Sequence, residues 1–565
     1  MTDSILFWNA VALEANRVSH SDPDKREQNG PTLSSRALAI VHLAMYDAYA
    51  GIVGSAGFPR YLDPPPNPPQ PLPPPATARD AVAGAAYTTL SGLYKAQRDY
   101  FQAQLSCFDI DTPSFDFGVS VGKKLLEIRS NDMDSRDAGY MFSAARGRHR
   151  VDPDNPSQGF NSPFYGAQNR GFAITRRHGL HRPPFDNGTD SRYIQALRDV
   201  RARGVRPDLT ATLPDGLFDR RRTAEETLQA IYWGYDGSNR LGTPPRFYNH
   251  IVRKVAAEQG NDEGANARLF ALVNAALGDA GILAWEQKYC HDFWRPVLGV
   301  REHDEKLGPA APYGVKVNFN DGDPGWLPLG APNTNAPAGT PPPKNSTPNF
   351  PAYPSGHATF GAAALHMTRM FYGVDPNDKN PDGLFRGCLV SDEFNGANRD
   401  VDGTVRPRHT RFFPEGLWEM IIENATSRVL LGVHWIFDAF DFQEDEEGNL
   451  VPDLGDEYIG GVGLGLRIAR DIYLSGGCIA PRMTPPTAAV PPIITPKPGT
   501  HMPAMPLQPA TVKGCAGPAL PVPPIDSCGP RVKDTRAALD AAGTDVQPGA
   551  HGQVQTPYSS GTNRS

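Results

Sequence analysis

The sequence predicts an all-α fold: two helical bundles packed together, joined by long Pro/Gly-rich connections, with few short strands. Three observations carry this. Apolar residues recur at helical spacing over many long stretches. Strand-type signals are scarce and short. The 57 prolines and 56 glycines imply long irregular connections. A length of 565 residues leaves room for more than one core.

Taken in order, Ser34 to Val53 (SSRALAIVHLAMYDAYAGIV) is an apolar-striped helix opened by serines that can cap it. Pro64 to Pro75 (PPPNPPQPLPPP) must be extended. Helices are predicted over 78–106, 114–132, 222–233, 246–258 and 265–290. A Pro/Gly/Asn-rich connection spans 306–354. Two strong helices follow at 356–373 and 415–436, and a shorter one near 461–474. From about 480 the chain turns to Pro, Ala, Gly and Thr, which predicts an extended or partly disordered tail. The expected division is an N-terminal bundle over 1–245, a second bundle carrying the site over 246–480, and a tail over 481–565.

Composition narrows the function classes. Apolar residues make up 39% and charged residues 21%, as in a soluble globular protein. A net charge of −7 disfavours nucleic acid or an anionic membrane as partner. No apolar run approaches the ~20 residues of a membrane span. No basic and apolar leader is visible, so export stays open. A monomer is expected. Cysteines 107, 290, 388, 478, 515 and 528 show no metal-type or C-x-x-C spacing. Most are expected to be free and buried, with Cys515 and Cys528 near enough in sequence to pair.

Three short segments carry chemistry. In LAWEQKYCHDFWRP, Lys288 and Arg295 lie seven residues apart. On one continuous helix both would leave the same face, about 10 Å apart along the axis, with Pro296 helping to close the segment. Solvated surface charges would give the same spacing. In Pro354-Ser355-Gly356-His357, Ser355 sits at a helix N-cap. Gly356 lets a ligand approach the backbone, and the free N–H groups of the first turn attract anions. His357 stands there as an acid or base. An ordinary capped helix with a structural histidine reads the same way. In SRVLLGVH, Arg428 offers a donor fork and His434 a ring nitrogen. Their six-residue spacing sets them about 120° apart on an ideal helix. Asp438 can orient the second ring nitrogen of His434, or merely cap. Together the segments describe a clamp for a tetrahedral or bipyramidal oxyanion carrying two or more negative charges, with two histidines beside it.

The pattern K-x6-R-P, P-S-G-H, S-R-x5-H resembles the signature shared by vanadium haloperoxidases and the type 2 phosphatidic acid phosphatase superfamily. All three blocks match in order. ILFWNAVALEANRVSH, YDGSNRLGTPPRFYNHIVRK and PAYPSGHATFGAA also look like fungal vanadium chloroperoxidases, so the likeness covers about 5–480. It implies a vanadate cofactor whose oxygens are held by Lys288, Arg295, Ser355, Gly356 and Arg428. It implies His434 as the metal ligand, with His357 and Lys288 as catalytic groups. Asp236 would pair with Arg428, and Trp285 and Phe350 would flank the halide. The implied reaction oxidises chloride or bromide with hydrogen peroxide to hypohalous acid, which acts on small organic acceptors. The alternative is an acid phosphatase with His434 as nucleophile and His357 as leaving-group acid. The longer connection between Pro296 and Pro354, the charged segment 443–448 and the tail depart from the family pattern. They leave the shape of the entrance in doubt.

Overall fold

The computed structural model describes residues 3–54, 57–214, 220–311, 321–339 and 342–484. The expected tail and the proposed Cys515–Cys528 pairing lie outside them.

The fold is mostly helical, as predicted. Helix α1 is Ser4–Ser19 and α2 is Gly30–Val53. After the irregular proline stretch come α3, Ala78–Leu93, α4, Arg98–Gln104, and α5, Pro113–Ile128. Then follow α6, Tyr165–Gln168, α7, Ser191–Arg203, α8, Ala224–Tyr232, and α9, Pro244–Glu258. The central helix α10 is Glu263–His291, and a short α11, Pro296–Arg301, follows it. The last are α12, Gly356–Phe371, α13, Gly416–Leu430, α14, Ile436–Ala439, and α15, Gly460–Ser475. Two small antiparallel pairs complete the fold. β1, Cys388–Val390, pairs with β2, Thr410–Phe412, and β3, Asp441–Glu444, with β4, Leu450–Asp453.

Several boundaries differ from expectation, each for a local reason. The helix expected over 78–106 breaks after Leu93, because the Glu27 carboxylate accepts from the Lys95 and Ala96 N–H groups and holds a turn there. Helix α1 was not predicted as a helix, although Asp3 caps it by accepting from Leu6 N. Helix α7 was missed too. Its Asp190 cap is legible, but its sequence SRYIQALRDVRAR carries four arginines that mask a narrow buried stripe.

Helix α10 packs against α2 on one side and α12 on another. It is buried almost all round, so it lacks the polar face of a surface helix. Neither α2 nor α10 is an uninterrupted apolar run, but by length and mean hydropathy each could cross a membrane. In the fold, 83% and 94% of those apolar windows are buried inside the protein. Helix α15 presses on the first turns of α12. A Cβ on Gly461 would lie 2.4 Å from the Ser355 carbonyl oxygen, and one on Gly465 2.5 Å from that of Thr359. Only glycine permits this approach, and it fixes where the N-terminus of α12 points.

Cys107, Cys290 and Cys388 are free, as expected, but the expectation that they are buried is corrected. Cys107 and Cys388 are exposed, Cys290 is half-buried, and Cys478 is disulfide-bonded.

Candidate active site

The site forms where two chain reversals meet the N-terminus of α12. Helix α10 does not run on to Arg295. It stops at His291, with Asp292 in the left-handed region at φ 51°, and Arg295 takes an extended conformation as N-cap of α11. Lys288 and Arg295 therefore do not share a helix face. Pro296 opens the next helix instead of closing the last, since a proline at N1 has no N–H to satisfy. The third block behaves similarly. Helix α13 ends at Leu430, Gly432 turns the chain at φ 72°, and His434 sits beyond the helix. That turn, rather than reach around a helix, brings His434 and Arg428 to one place.

Ser355 caps α12 as predicted, its hydroxyl accepting from Ala358 N at 3.4 Å. Its own N–H donates to the Asp438 carbonyl at 2.8 Å. Gly356 begins the helix. A Cβ there would stand 3.4 Å from the Trp285 ring and 3.8 Å from Lys288 Cε.

Three cations are buried here. Lys288 Nζ donates to the carbonyls of Pro351, Ala352 and Pro354 at 2.8, 3.0 and 2.5 Å. Burial, then the neighbouring Arg295, pushes its ammonium well below the ordinary lysine range. Arg295 donates through Nε to Phe350 O and through Nη1 to Val433 O and His434 Nε2, at 2.9, 2.7 and 2.9 Å. Burial lowers its guanidinium to about 9. Arg428 grips Asp236 with both terminal nitrogens, at 3.0 and 2.8 Å.

The histidines are oriented differently. His434 Nδ1 lies 2.7 Å from Asp438 Oδ2, which also accepts from Trp435 N at 3.0 Å. A guanidinium only donates, so His434 Nε2 is an acceptor and the ring proton sits on Nδ1. Asp438 therefore orients the ring and caps at the same time. Burial raises its carboxyl to about 7. Burial, then Arg295 and Lys288, drives His434 well below the usual imidazole range. His357 Nε2 donates to the Gly234 carbonyl at 2.7 Å, leaving Nδ1 as its free acceptor. Burial, then Arg428, lowers it to about 3.

These groups surround a cavity of about 340 Å³. Asp236, Trp285, Phe350, Gly356, His357, Arg428 and His434 line it. Lys288, Arg295 and Ser355 sit behind the wall. The Trp285 and Phe350 rings lie 4.8 Å apart, with Lys288 Nζ 5.0 Å from the Phe350 ring centre. The outer wall contains His20, Arg26, Asn29, Gln158 and Asn161. Reasoning from sequence missed them, because residues scattered through loops carry no spacing signal. It missed Gly234 for the same reason, since its contribution is a backbone carbonyl.

Comparison with known proteins decides the family. Residues 1–160 match a family model described as the vanadium chloroperoxidase N-terminal domain. Residues 268–444 match one for the VCPO second helical-bundle domain. Vanadium chloroperoxidase of Curvularia inaequalis is 37% identical over 514 residues, covering 78% of this chain and 79% of that protein. The chain belongs to the vanadium chloroperoxidase family. Among solved structures, a bacterial vanadium-dependent iodoperoxidase superposes with a TM-score of 0.53 at 16% identity, over 85% of this chain and 98% of its own. A holo bacterial vanadium-dependent chloroperoxidase also gives 0.53 at 16%, over 81% and 94%. At that identity these two share the fold. The comparisons favour a haloperoxidase over the phosphatase alternative.

The donor set of this family member fits vanadate. Arg295 Nη2 and Arg428 Nε are buried donors with no hydrogen-bond partner among the described residues. Leaving such groups unpaired costs about 1–3 kcal/mol each, and an oxyanion satisfies both. The N-terminus of α12 adds unspent N–H groups. Lys288 has all three hydrogens on carbonyls, so it reaches an anion only by releasing one of them.

Proposed function

We propose that this chain is a vanadium-dependent haloperoxidase that oxidises chloride and bromide with hydrogen peroxide to hypohalous acid. The observation that carries the reading is a buried clamp of three cations and one helix N-terminus around a histidine whose Nε2 is held as an acceptor, 2.9 Å from Arg295 Nη1. Vanadate, when bound, supplies a Lewis acid that activates hydrogen peroxide toward halide.

The protein's residues do the rest. Arg295, Arg428, Ser355, the Gly356 N–H and Lys288 hold the vanadate oxygens, and His434 Nε2 is the metal ligand. Asp438 keeps the His434 proton on Nδ1. Asp236 holds the Arg428 fork in one plane. His357 takes and returns the peroxide proton at Nδ1, while Gly234 fixes its ring through Nε2. Lys288 would donate to an oxygen held beside it once it releases one of its carbonyls, polarising that oxygen. Trp285 and Phe350 form an apolar wall that strips water from the halide. Small organic acceptors react with the hypohalous acid released, and the enzyme works as a monomer without membrane or nucleic-acid partner. The organisation proposed with this is a bundle over 1–245, a site-carrying bundle over 246–480 and a Pro-rich tail over 481–565. It draws support from the two family models falling on either side of residue 245.

The test is reconstitution of metal-free protein with orthovanadate, followed by halogenation of an organic acceptor. Turnover must require peroxide, halide and vanadate together. Hydrolysis of phosphate esters without vanadate, and no halogenation with it, would sink the proposal.

A further inference from the structure

We infer that Arg26 is an anion-collecting residue at the cavity mouth, and that it sets the enzyme's effective affinity for halide. The inference rests on the functional reading above. Arg26 lines the cavity and is exposed. Among the described residues it has no hydrogen bond or ion pair. The other charged groups on that wall are accounted for. Asp236 and Arg428 neutralise each other through two bonds. His20 is pushed down to about 4 by burial, and the His357 and His434 rings are engaged with the Gly234 carbonyl and the Asp438 carboxylate. Arg26 is thus the one uncompensated charge on the described wall.

Its neighbours hold it there. His20 Nδ1 donates to Asn16 O at 2.8 Å, and His20 Nε2 accepts from Gly30 N at 3.1 Å. Gln28 donates to Leu93 O at 3.2 Å. Two nearby acids are engaged elsewhere, Glu27 with the Lys95 and Ala96 N–H groups and Asp22 with Lys25, and Asp24 forms no ion pair with Arg26 among the described residues.

The charge at the cavity floor explains what Arg26 is for. Lys288, Arg295 and Arg428 face Asp236 and Asp438, a surplus of one positive charge when all are ionised. An oxyanion carrying two or more negative charges reverses that sign. A halide entering the loaded enzyme then approaches a net negative floor. A cation at the rim of a low-dielectric cleft raises the local anion concentration and offsets that repulsion. Hydrogen peroxide is neutral and is indifferent to it. Arg26 therefore discriminates between the two substrates by charge.

The experiment compares wild type with Arg26→Gln and Arg26→Glu, each vanadate-loaded. At low ionic strength kcat/KM for bromide should fall about threefold and about tenfold respectively, through KM. For peroxide it should stay unchanged. The difference should collapse as a salt of a non-oxidisable, weakly coordinating anion shortens the Debye length. A second readout needs no turnover. The association rate of orthovanadate with metal-free protein should drop in Arg26→Glu, with its dissociation rate unchanged. Equal losses for bromide and peroxide, a loss insensitive to salt, or unchanged bromide kinetics would overturn the inference. A wild-type protein that oxidises no halide would refute the functional reading instead, and the vanadate on-rate would still decide the role of Arg26.

Discussion

Asp438→Ala separates positioning from folding. Asp438 is fully buried and accepts from His434 Nδ1 at 2.7 Å and Trp435 N at 3.0 Å. Truncation leaves two buried donors without partners, at about 1–3 kcal/mol each. It also removes a carboxylate that burial has pushed up to about 7 from 3.8. A shift of that size means the ionised form costs on the order of 4 kcal/mol. The two effects oppose each other, so net stability should change by no more than about 2 kcal/mol. Vanadate affinity has no such compensation. Without Asp438 only the Arg295 contact favours the proton on Nδ1, and the ring loses its orientation and part of the basicity of Nε2. Removing a partner of this kind costs about 10–100-fold in metal affinity, or roughly 1.4–2.7 kcal/mol. Calorimetric titration of metal-free protein with orthovanadate gives the dissociation constant, and urea unfolding gives the stability. Asp438→Asn keeps one acceptor oxygen and should fall between the two. A folded Asp438→Ala protein that binds orthovanadate as tightly as wild type would refute the argument.

Three further outcomes are expected. Gly356→Ala meets only ordinary contacts at 3.4 and 3.8 Å, and a helical glycine-to-alanine change stabilises by about 0.5 kcal/mol; unfolding should be unaffected or slightly harder, while orthovanadate binding weakens at least about tenfold because the methyl occupies the anion's approach. Phe350→His places a polar ring 4.8 Å from Trp285; chloride oxidation should fall much more than bromide oxidation, because chloride holds its water more tightly, and full retention of chloride activity would mean that the halide sits elsewhere. Finally, His42 is fully buried, bonded to Leu38 O and Asn9 Nδ2, and lowered by burial to about 4. Its folded value lies below its unfolded one, so its contribution is full above pH 6.5 and is lost as pH falls toward 4. Urea unfolding at stepped pH should show a loss on the order of 3 kcal/mol from this residue, reduced in His42→Gln; identical pH profiles would exclude it.

Much of the candidate site was legible because its chemistry is written in short local segments. Ser355, Gly356 and His357 define a capped helix N-terminus within three residues, and the capping oxygen and free N–H groups follow from local backbone geometry alone. The pair His434 and Asp438 was readable for the same reason: a spacing of four residues lets the side chains meet. The central helix was legible in its length and apolar content, although those same properties imitate a membrane span. In the fold 94% of its apolar window is buried, with α2 and α12 packed on it, which periodicity cannot show.

What the sequence by itself determined was the all-α class, the identity of the clamp residues and their resemblance to a vanadium-binding family. Those depend on composition, period and short spacing, which survive without three-dimensional context. Only the tertiary structure decided how the residues converge. Lys288 and Arg295 meet because the chain turns at Asp292, and Arg428 meets His434 because it turns at Gly432. A helical spacing rule assumes that the helix continues, so it places such residues on one cylinder and misses the reversal. The structure alone also showed Lys288 spent on three carbonyls, His357 fixed by Gly234, and Arg26 without a partner among the described residues. Each of these depends on backbone atoms or on absent partners, which leave no mark in the order of side chains.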